Sequence, residues 1–291
     1  MSATTVPDAT ATKSDIRKQR RRRQGKGGPW GVIAWIMALL FFAPIAYMVL
    51  TSFHREVDAA VSPPNLFAPL VTYQYENVFA RNITPYLLNS LMAAGGSTIL
   101  VILLAVPAAY ATAIKPIRSA AGVLQWVLST KFLPLIAALI PVYLVFQFLG
   151  LLDSIAALVI FYTGMNLPIA IWMMHSFLSD LPKDIMSAAE IDGANLPRII
   201  RSIVVPLAMP GIAATALITF ILAWNEFLFA LNLTATKAST SSVYLVSFIT
   251  SEGLFIAQLS AASIVVSIPV VIAGWVAQDK LVQGLSMGAV K

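Results

Sequence analysis

The sequence predicts an all-α fold, a polytopic membrane protein with six transmembrane helices. Three observations lead there. Charged residues make up 11% of the chain and the mean hydropathy is +0.82, where a soluble domain carries about 25% charged residues. Six apolar runs are long enough to cross a bilayer, which takes about 20 residues. Lys and Arg collect in alternate connections between those runs, as they do in chains threaded through a membrane.

The chain opens with a basic tail, residues 1–29. It holds eight of the nineteen Lys and Arg residues, and Arg20 to Arg23 are consecutive. A long apolar stretch follows at once, so the tail reads as a tether to a membrane surface and not as a nucleic-acid arm. Residues 30–291 form the transmembrane domain. The first span, residues 30–53, has an apolar stretch too long for a cleaved signal peptide, whose apolar core runs to about 15 residues. It is read as a retained helix. The second span lies within residues 82–114 and is also uncharged. Gly95 and Gly96 in it suit close helix packing. The third, residues 122–149, encloses Lys131. The fourth covers residues 155–178, the fifth 203–231 with Glu226 inside it, and the sixth 255–277.

One set of connections, with both termini, holds fifteen Lys and Arg residues, and the other set holds Arg55, Arg81 and Lys237. That asymmetry places both termini in the cytoplasm, and six spans agree with it. The first outer loop, residues 54–85, is rich in Pro and aromatic residues and suits a short interfacial helix. These runs are apolar all round, which a soluble helical bundle with polar stripes would not show.

Several functions are excluded. There is no Cys, so no thiolate metal site or Cys nucleophile. His54 and His175 lie far apart in sequence and form no cluster on their own. No catalytic residue and no metal site is predicted. No G-x-x-x-x-G-K-[ST] phosphate loop occurs, so ATP hydrolysis by that chemistry belongs to another chain.

The connection of residues 179–206 is the most informative stretch. Asp180 suits the N-cap of a helix with Pro182 in its first turn. Ile185, Ala188 and Ala189 fall on one face. Gly193 suits a helix break through left-handed torsions, and Asn195 suits the cap of a second helix. The product is a cytoplasmic helix–turn–helix with small residues at its tip, suited to seating in a partner's groove.

The stretch Ser187-Ala188-Ala189-Glu190-Ile191-Asp192-Gly193-Ala194, then eight residues, then Ile203-Val204-Val205-Pro206, resembles the coupling loop of ABC importer permeases. That pattern reads E-A-A-x-x-D-G-A, eight residues, I-x-L-P. Ser187 and Val205 depart from it. Asn89-Ser90, Ala108-Ala109-Tyr110, Gly150-Leu151-Leu152-Asp153 and Asn166-Leu167-Pro168 also resemble the family. Trp224-Asn225-Glu226-Phe227 and the ending Gly284-Leu285-Ser286-Met287-Gly288-Ala289-Val290-Lys291 resemble its carbohydrate, maltose-type branch.

The resemblance implies a type I ABC importer permease fold in a prokaryotic inner membrane. It implies that Ser187, Ala188, Ala189, Glu190, Asp192, Gly193, Ala194 and Pro206 engage an ATPase. The implied partners are a second permease subunit, forming a heterodimer, a dimer of ATP-binding subunits and an extracytoplasmic solute-binding protein. ATP and Mg belong to the partner ATPase, and this chain holds no cofactor. The implied cargo is a carbohydrate or sugar alcohol. Ser129-Thr130-Lys131 before Phe132-Leu133-Pro134 resembles permeases for sugar alcohols.

The intramembrane polar residues carry more than one reading each. Asn225 and Glu226, beside Trp224, line a solute path and bond sugar hydroxyls, or they make structural hydrogen bonds between helices or sit at the interface near the outer end of the fifth span. An ionisable group at that depth costs at least about 2.5 kcal/mol unless paired or wet. Lys131 lines the path, pairs with an acid of the partner permease, or snorkels to the cytoplasmic face. Pro206 and Pro210 are placed to bend the start of the fifth span. The alternatives are an importer permease for a non-sugar solute and an ion-driven secondary transporter. The second calls for several intramembrane acids and inverted repeats, and Glu226 is the one acid found inside an apolar run.

Overall fold

A computed structural model describes residues 28–63, 65–115, 119–132, 134–250 and 253–288. The tail up to residue 27, Arg118 and Lys291 lie outside the described residues. The chain divides into two units, residues 1–51 and 52–291. The described part of the first is one helix, α1 (Gly28–Thr51), with Pro44 inside it. Its side chains are exposed from Trp30 to Ala46, an apolar surface suited to lipid.

The second unit begins with two short helices, α2 (Glu56–Ala59) and α3 (Tyr73–Ala80), where one was expected. Then comes α4 (Ile83–Ala113), which at 1.5 Å per residue is about 46 Å long and overspans a bilayer core of about 30 Å. The third apolar segment is broken, contrary to the continuous span expected. α5 (Ala120–Ser129) runs into a tight turn at Thr130–Phe132, and α6 (Leu135–Phe148) leaves at 92°. Pro134 stands at the N-cap of α6 and cannot continue a helical bond ladder through the corner. α7 (Ile155–Ser179) is a continuous apolar helix, capped by Ser154.

The connection that follows folds as α8 (Lys183–Ile191), α9 (Leu196–Ile199), a wide helical turn over Ile200–Val204, and α10 (Val205–Leu207). α11 (Met209–Trp224) leaves it at 82°. The fifth apolar helix therefore starts at Met209 and not at residue 203. The corner falls at Ala208, between Pro206 and Pro210. A break at 225–227 separates α11 from α12 (Leu228–Leu233). α13 (Ser241–Val246), a two-stranded hairpin of β1 (Ile249–Thr250) with β2 (Gly253–Leu254), and α14 (Ile256–Gly288) complete the chain.

Among the described residues, four helices are long and apolar enough to span a membrane, or up to six spans form if each bent pair counts as one. In the second unit, α4 packs most extensively on α7, and α11 packs on α4, α7 and α14. Gly96 permits the first contact, because a Cβ there would stand 3.1 Å from Val159 of α7, whereas Gly95 faces open space. Two cores result. One, at the end carrying the 183–207 connection, joins Val101 to Ala113 of α4, Ala170 to Leu178 of α7, and Met186, Ala189, Ile199 and Val204. The other, at the opposite end, gathers Ile83, Leu158, Tyr162, Trp224, Phe229, Tyr244 and Phe248.

Candidate functional site

α8 ends in a motif that only a residue at ease with positive φ makes without strain. Gly193 has φ +80°. Its N–H donates to the Glu190 carbonyl at 3.0 Å, and the Ala194 N–H donates to Ala189 at 3.0 Å. These two bonds are the Schellman pair, which satisfies carbonyls the helix end would leave open. Asn195 then caps α9, its side-chain oxygen accepting from the Arg198 N–H at 3.1 Å.

The start of α8 departs from expectation. Asp180 terminates α7 instead of capping α8, and Pro182 occupies the N-cap. The inward face differs as well. Met186 and Ala189 are buried, three residues apart, while Ile185 and Ala188 are exposed. The helix needs Met186 to reach the α4–α7 core, and that rotation turns Ile185 and Ala188 outward. Ile191 is 86% exposed and Leu196 51% exposed at the tip. The connection thus has one face fused to the spans and one small, apolar face left open.

Two contacts fix it further. Lys115, just after α4, forms an ion pair with Glu190 at 2.6 Å. The hydrogen bond and charge of Glu190 hold the Lys115 ammonium above its usual range. Gly211 lies on α11 just past the corner. A Cβ there would fall 2.4 Å from Cγ and 2.8 Å from Cβ of Phe177 on α7. Only a glycine lets the corner sit this close to α7. Neither residue stands out in the sequence, because both contacts join segments far apart in the chain. Ser187, Asp192 and Glu190 are exposed at the tip, and Pro206 lies in α10 before the corner.

Of the residues expected along a solute path, Trp224, Asn225 and Glu226 lie together where α11 ends, and Lys131 lies on another element. Trp224 is buried in the far core, stacked on Phe220 with ring centroids 5.5 Å apart. The Asn225 amide donates to the Ile221 carbonyl of its own helix at 2.8 Å. The Glu226 carboxylate accepts from the Phe229 and Ala230 N–H groups at 2.9 and 3.0 Å. It therefore caps α12, meeting donors that a helix start leaves unpaired. Lys131 stands apart from these, at the corner between α5 and α6, and lines a cavity of about 380 Å³ that Trp224, Asn225 and Glu226 do not line.

The opposite end holds a clamp whose role the residue pattern did not indicate. Asp153, itself at φ +55°, accepts from the N–H groups of Ala235, Thr236, Lys237 and Ala238 at 2.9 to 3.2 Å. Desolvation would raise its pKa, but these backbone donors outweigh that and hold it well below the usual carboxylate range. The Asn89 amide donates to the carbonyls of Lys237 and Ser239 at 2.9 and 3.0 Å, and the Ser241 N–H donates to Ser90 Oγ at 2.8 Å. Glu56 caps α14 through the N–H groups of Ala257 and Gln258. The Asn89-Ser90 and Gly150–Asp153 motifs thus serve one purpose, fixing the loop of residues 234–241.

Residues 102–286 match the family described as binding-protein-dependent transport system inner membrane component. The sulfoquinovosyl glycerol transport system permease protein of Agrobacterium fabrum is 32% identical over 89% of this chain and 92% of its own length. The trehalose/maltose transport system permease protein of Thermococcus litoralis is 32% identical over 89% of this chain and 94% of its own. Among solved structures, a bacterial ABC transporter involved in the import of the acidic polysaccharide alginate aligns with a TM-score of 0.71 at 22% identity. That alignment covers 94% of this chain and 100% of the other.

Proposed function

Because the chain belongs to the family of binding-protein-dependent transport system inner membrane components, we propose that it is the permease subunit through which an ATP-driven importer moves a carbohydrate or sugar alcohol into the cytoplasm. The 183–207 connection is its coupling loop. The observation that carries this reading is the division of that loop into two faces. Met186, Ala189, Ile199 and Val204 are packed into the core of α4 and α7, while Ile185, Ala188 and Ile191 stay open. A push on the open face reaches the spans directly, because packed interiors transmit displacement and do not absorb it.

The open face seats in an ATP-binding subunit, one of a dimer. A second permease subunit completes the path, and a solute-binding protein delivers cargo at the opposite end, where the clamped 234–241 loop lies. The Lys and Arg asymmetry puts the coupling loop and both termini in the cytoplasm. Sugar as cargo rests on the two relatives and on the Trp224–Phe227 signature.

The test is reconstitution. The complete transporter in proteoliposomes takes up its solute only with ATP on the coupling-loop side and binding protein on the other. This chain purified alone hydrolyses no ATP. Stoichiometric hydrolysis by the isolated chain, or uptake driven by an ion gradient without ATP, overturns the reading.

A further inference from the structure

The two halves of the 183–207 connection and its approach differ in charge. Asp180, Asp184, Glu190 and Asp192 all precede Gly193, with Lys183 the one base among them. After Gly193 the sign reverses. Arg198 and Arg201 follow, and no carboxylate occurs again before Glu226. Both arginines are exposed, and neither belongs to an ion pair among the described residues. They stand three residues apart, about one helical turn, so they are neighbours on one side of the helix. Ile199 and Val204 are packed on the other side, in the core of α4 and α7. The halves differ in direction as well. The helical residues 196–207 meet α11 at 82°. α11 carries no charged residue, so as a spanning helix it stands across the bilayer, and residues 196–207 then run along the bilayer surface. Leu207 and Met209, on either side of the corner, are exposed apolar side chains, which suits the boundary between acyl chains and headgroups.

We infer that Arg198 and Arg201 bind the phosphate headgroup of an anionic membrane lipid, which holds the second half of the connection on the bilayer surface. The inference goes beyond the transport reading and needs only that α11 crosses the membrane. A guanidinium presents paired N–H donors that match two oxygens of one phosphate. Anionic headgroups also set up a negative surface potential that draws in basic side chains next to a span. The long Arg stem lets the charge stay at headgroup level while its methylenes cover apolar surface. A segment with one face in the core, unpaired bases on its exposed side and apolar residues at its end has the make-up of an interfacial helix. The acidic first half, with the open face of α8, remains for a protein partner. A lipid held by the second half steadies the corner, so that displacement of α8 passes to α11.

The experiment uses the complete transporter, with its second permease and ATP-binding subunits freed of Cys, in lipid nanodiscs. This chain has no Cys, so Ser202→Cys, at an exposed position beside Arg201, takes a single bimane label. Quenching of that label is compared between phosphatidylglycerol and phosphatidylcholine, each spin-labelled near the top of its acyl chain and added at equal mole fraction. The expected result is quenching about two-fold stronger or more by phosphatidylglycerol, the anionic lipid. Replacing both arginines, Arg198→Gln with Arg201→Gln, removes the preference. Arg198→Lys with Arg201→Lys keeps it in weaker form, since the charge stays and the paired donors are lost. Equal quenching by the two lipids with both arginines present overturns the inference, and that comparison decides alone if the glutamine pair does not assemble. A preference that survives the glutamine pair overturns it too. So does quenching by neither lipid together with a cross-link from position 202 to the ATP-binding subunit, which would assign the arginines to that partner and leave the importer reading intact.

Discussion

Substituting Gly211 by Ala tests the joint between the coupling loop and the spans. The added Cβ would lie 2.4 Å from Cγ, 2.7 Å from Cδ2 and 2.8 Å from Cβ of Phe177. Carbon atoms in contact prefer about 3.5–4.0 Å, so the overlap is roughly 1 Å. Rotating the Phe177 ring does not clear it, because Phe177 Cβ is fixed to the backbone of α7. The helices must move apart at the corner. Overpacking of this kind costs about 1–3 kcal/mol, offset in part by the better helix propensity of Ala, at most about 1 kcal/mol. Taking the full offset from that range leaves a net loss of about 0–2 kcal/mol. Gly95→Ala is the control, since its Cβ meets nothing within 4 Å. Complex recovered from membranes, its denaturation midpoint in micelles, and uptake per complex are measured together. Gly211→Ala lowers the midpoint and cuts uptake per complex, while Gly95→Ala leaves both at or above wild type. A Gly211→Ala complex as stable and active as wild type refutes the idea that this approach holds the loop in place.

Gly193→Val forces a β-branched residue into left-handed torsions at about 1–2 kcal/mol. It should insert normally yet lose most uptake, whereas Gly193→Asn, which tolerates that conformation, keeps it. Glu226→Ala removes the cap of α12, about 0.5–2 kcal/mol, and should reduce folded complex while uptake per complex stays normal. Reduced uptake at normal complex levels would instead make Glu226 a solute ligand. Asp153 has its pKa depressed, so its clamp contributes stability above the ordinary carboxylate range of about 3.9 and loses it only as pH falls towards the depressed value. Protease protection of the 234–241 loop should therefore be constant between about pH 7 and 5, and Asp153→Ala should abolish it. Cysteines placed at Ser14 and Gly288 should be shielded from an impermeant thiol reagent outside intact cells, and those at Ser62 and Ala235 should react, because the chain has no other Cys.

Much of this architecture is legible in composition and spacing, since lipid leaves only helices as solutions for long apolar runs. Gly193 and Asn195 are readable for the same kind of reason, as each acts on its own few neighbours. What stays hidden is set by contacts between distant segments. The inward face of α8 is chosen by where Met186 meets α4 and α7, so periodicity alone puts Ile185 on the wrong side. The third segment looks continuous because hydropathy does not register a corner, although Pro134 marks it. Glu226 looks like a costly buried charge until α12, which starts two residues on, supplies the N–H groups of Phe229 and Ala230.

The central claim is that the open face of α8 meets an ATP-hydrolysing partner. The direct measurement is cross-linking from single cysteines at Ala188, which is exposed, and Met186, which is buried, in the assembled transporter with a short bifunctional maleimide. The account predicts a cross-link from position 188 to the ATP-binding subunit, diminished when nucleotide and solute-loaded binding protein drive turnover, and none from position 186. A cross-link from position 186 but not 188, or labelling of position 188 from outside intact cells, would contradict it.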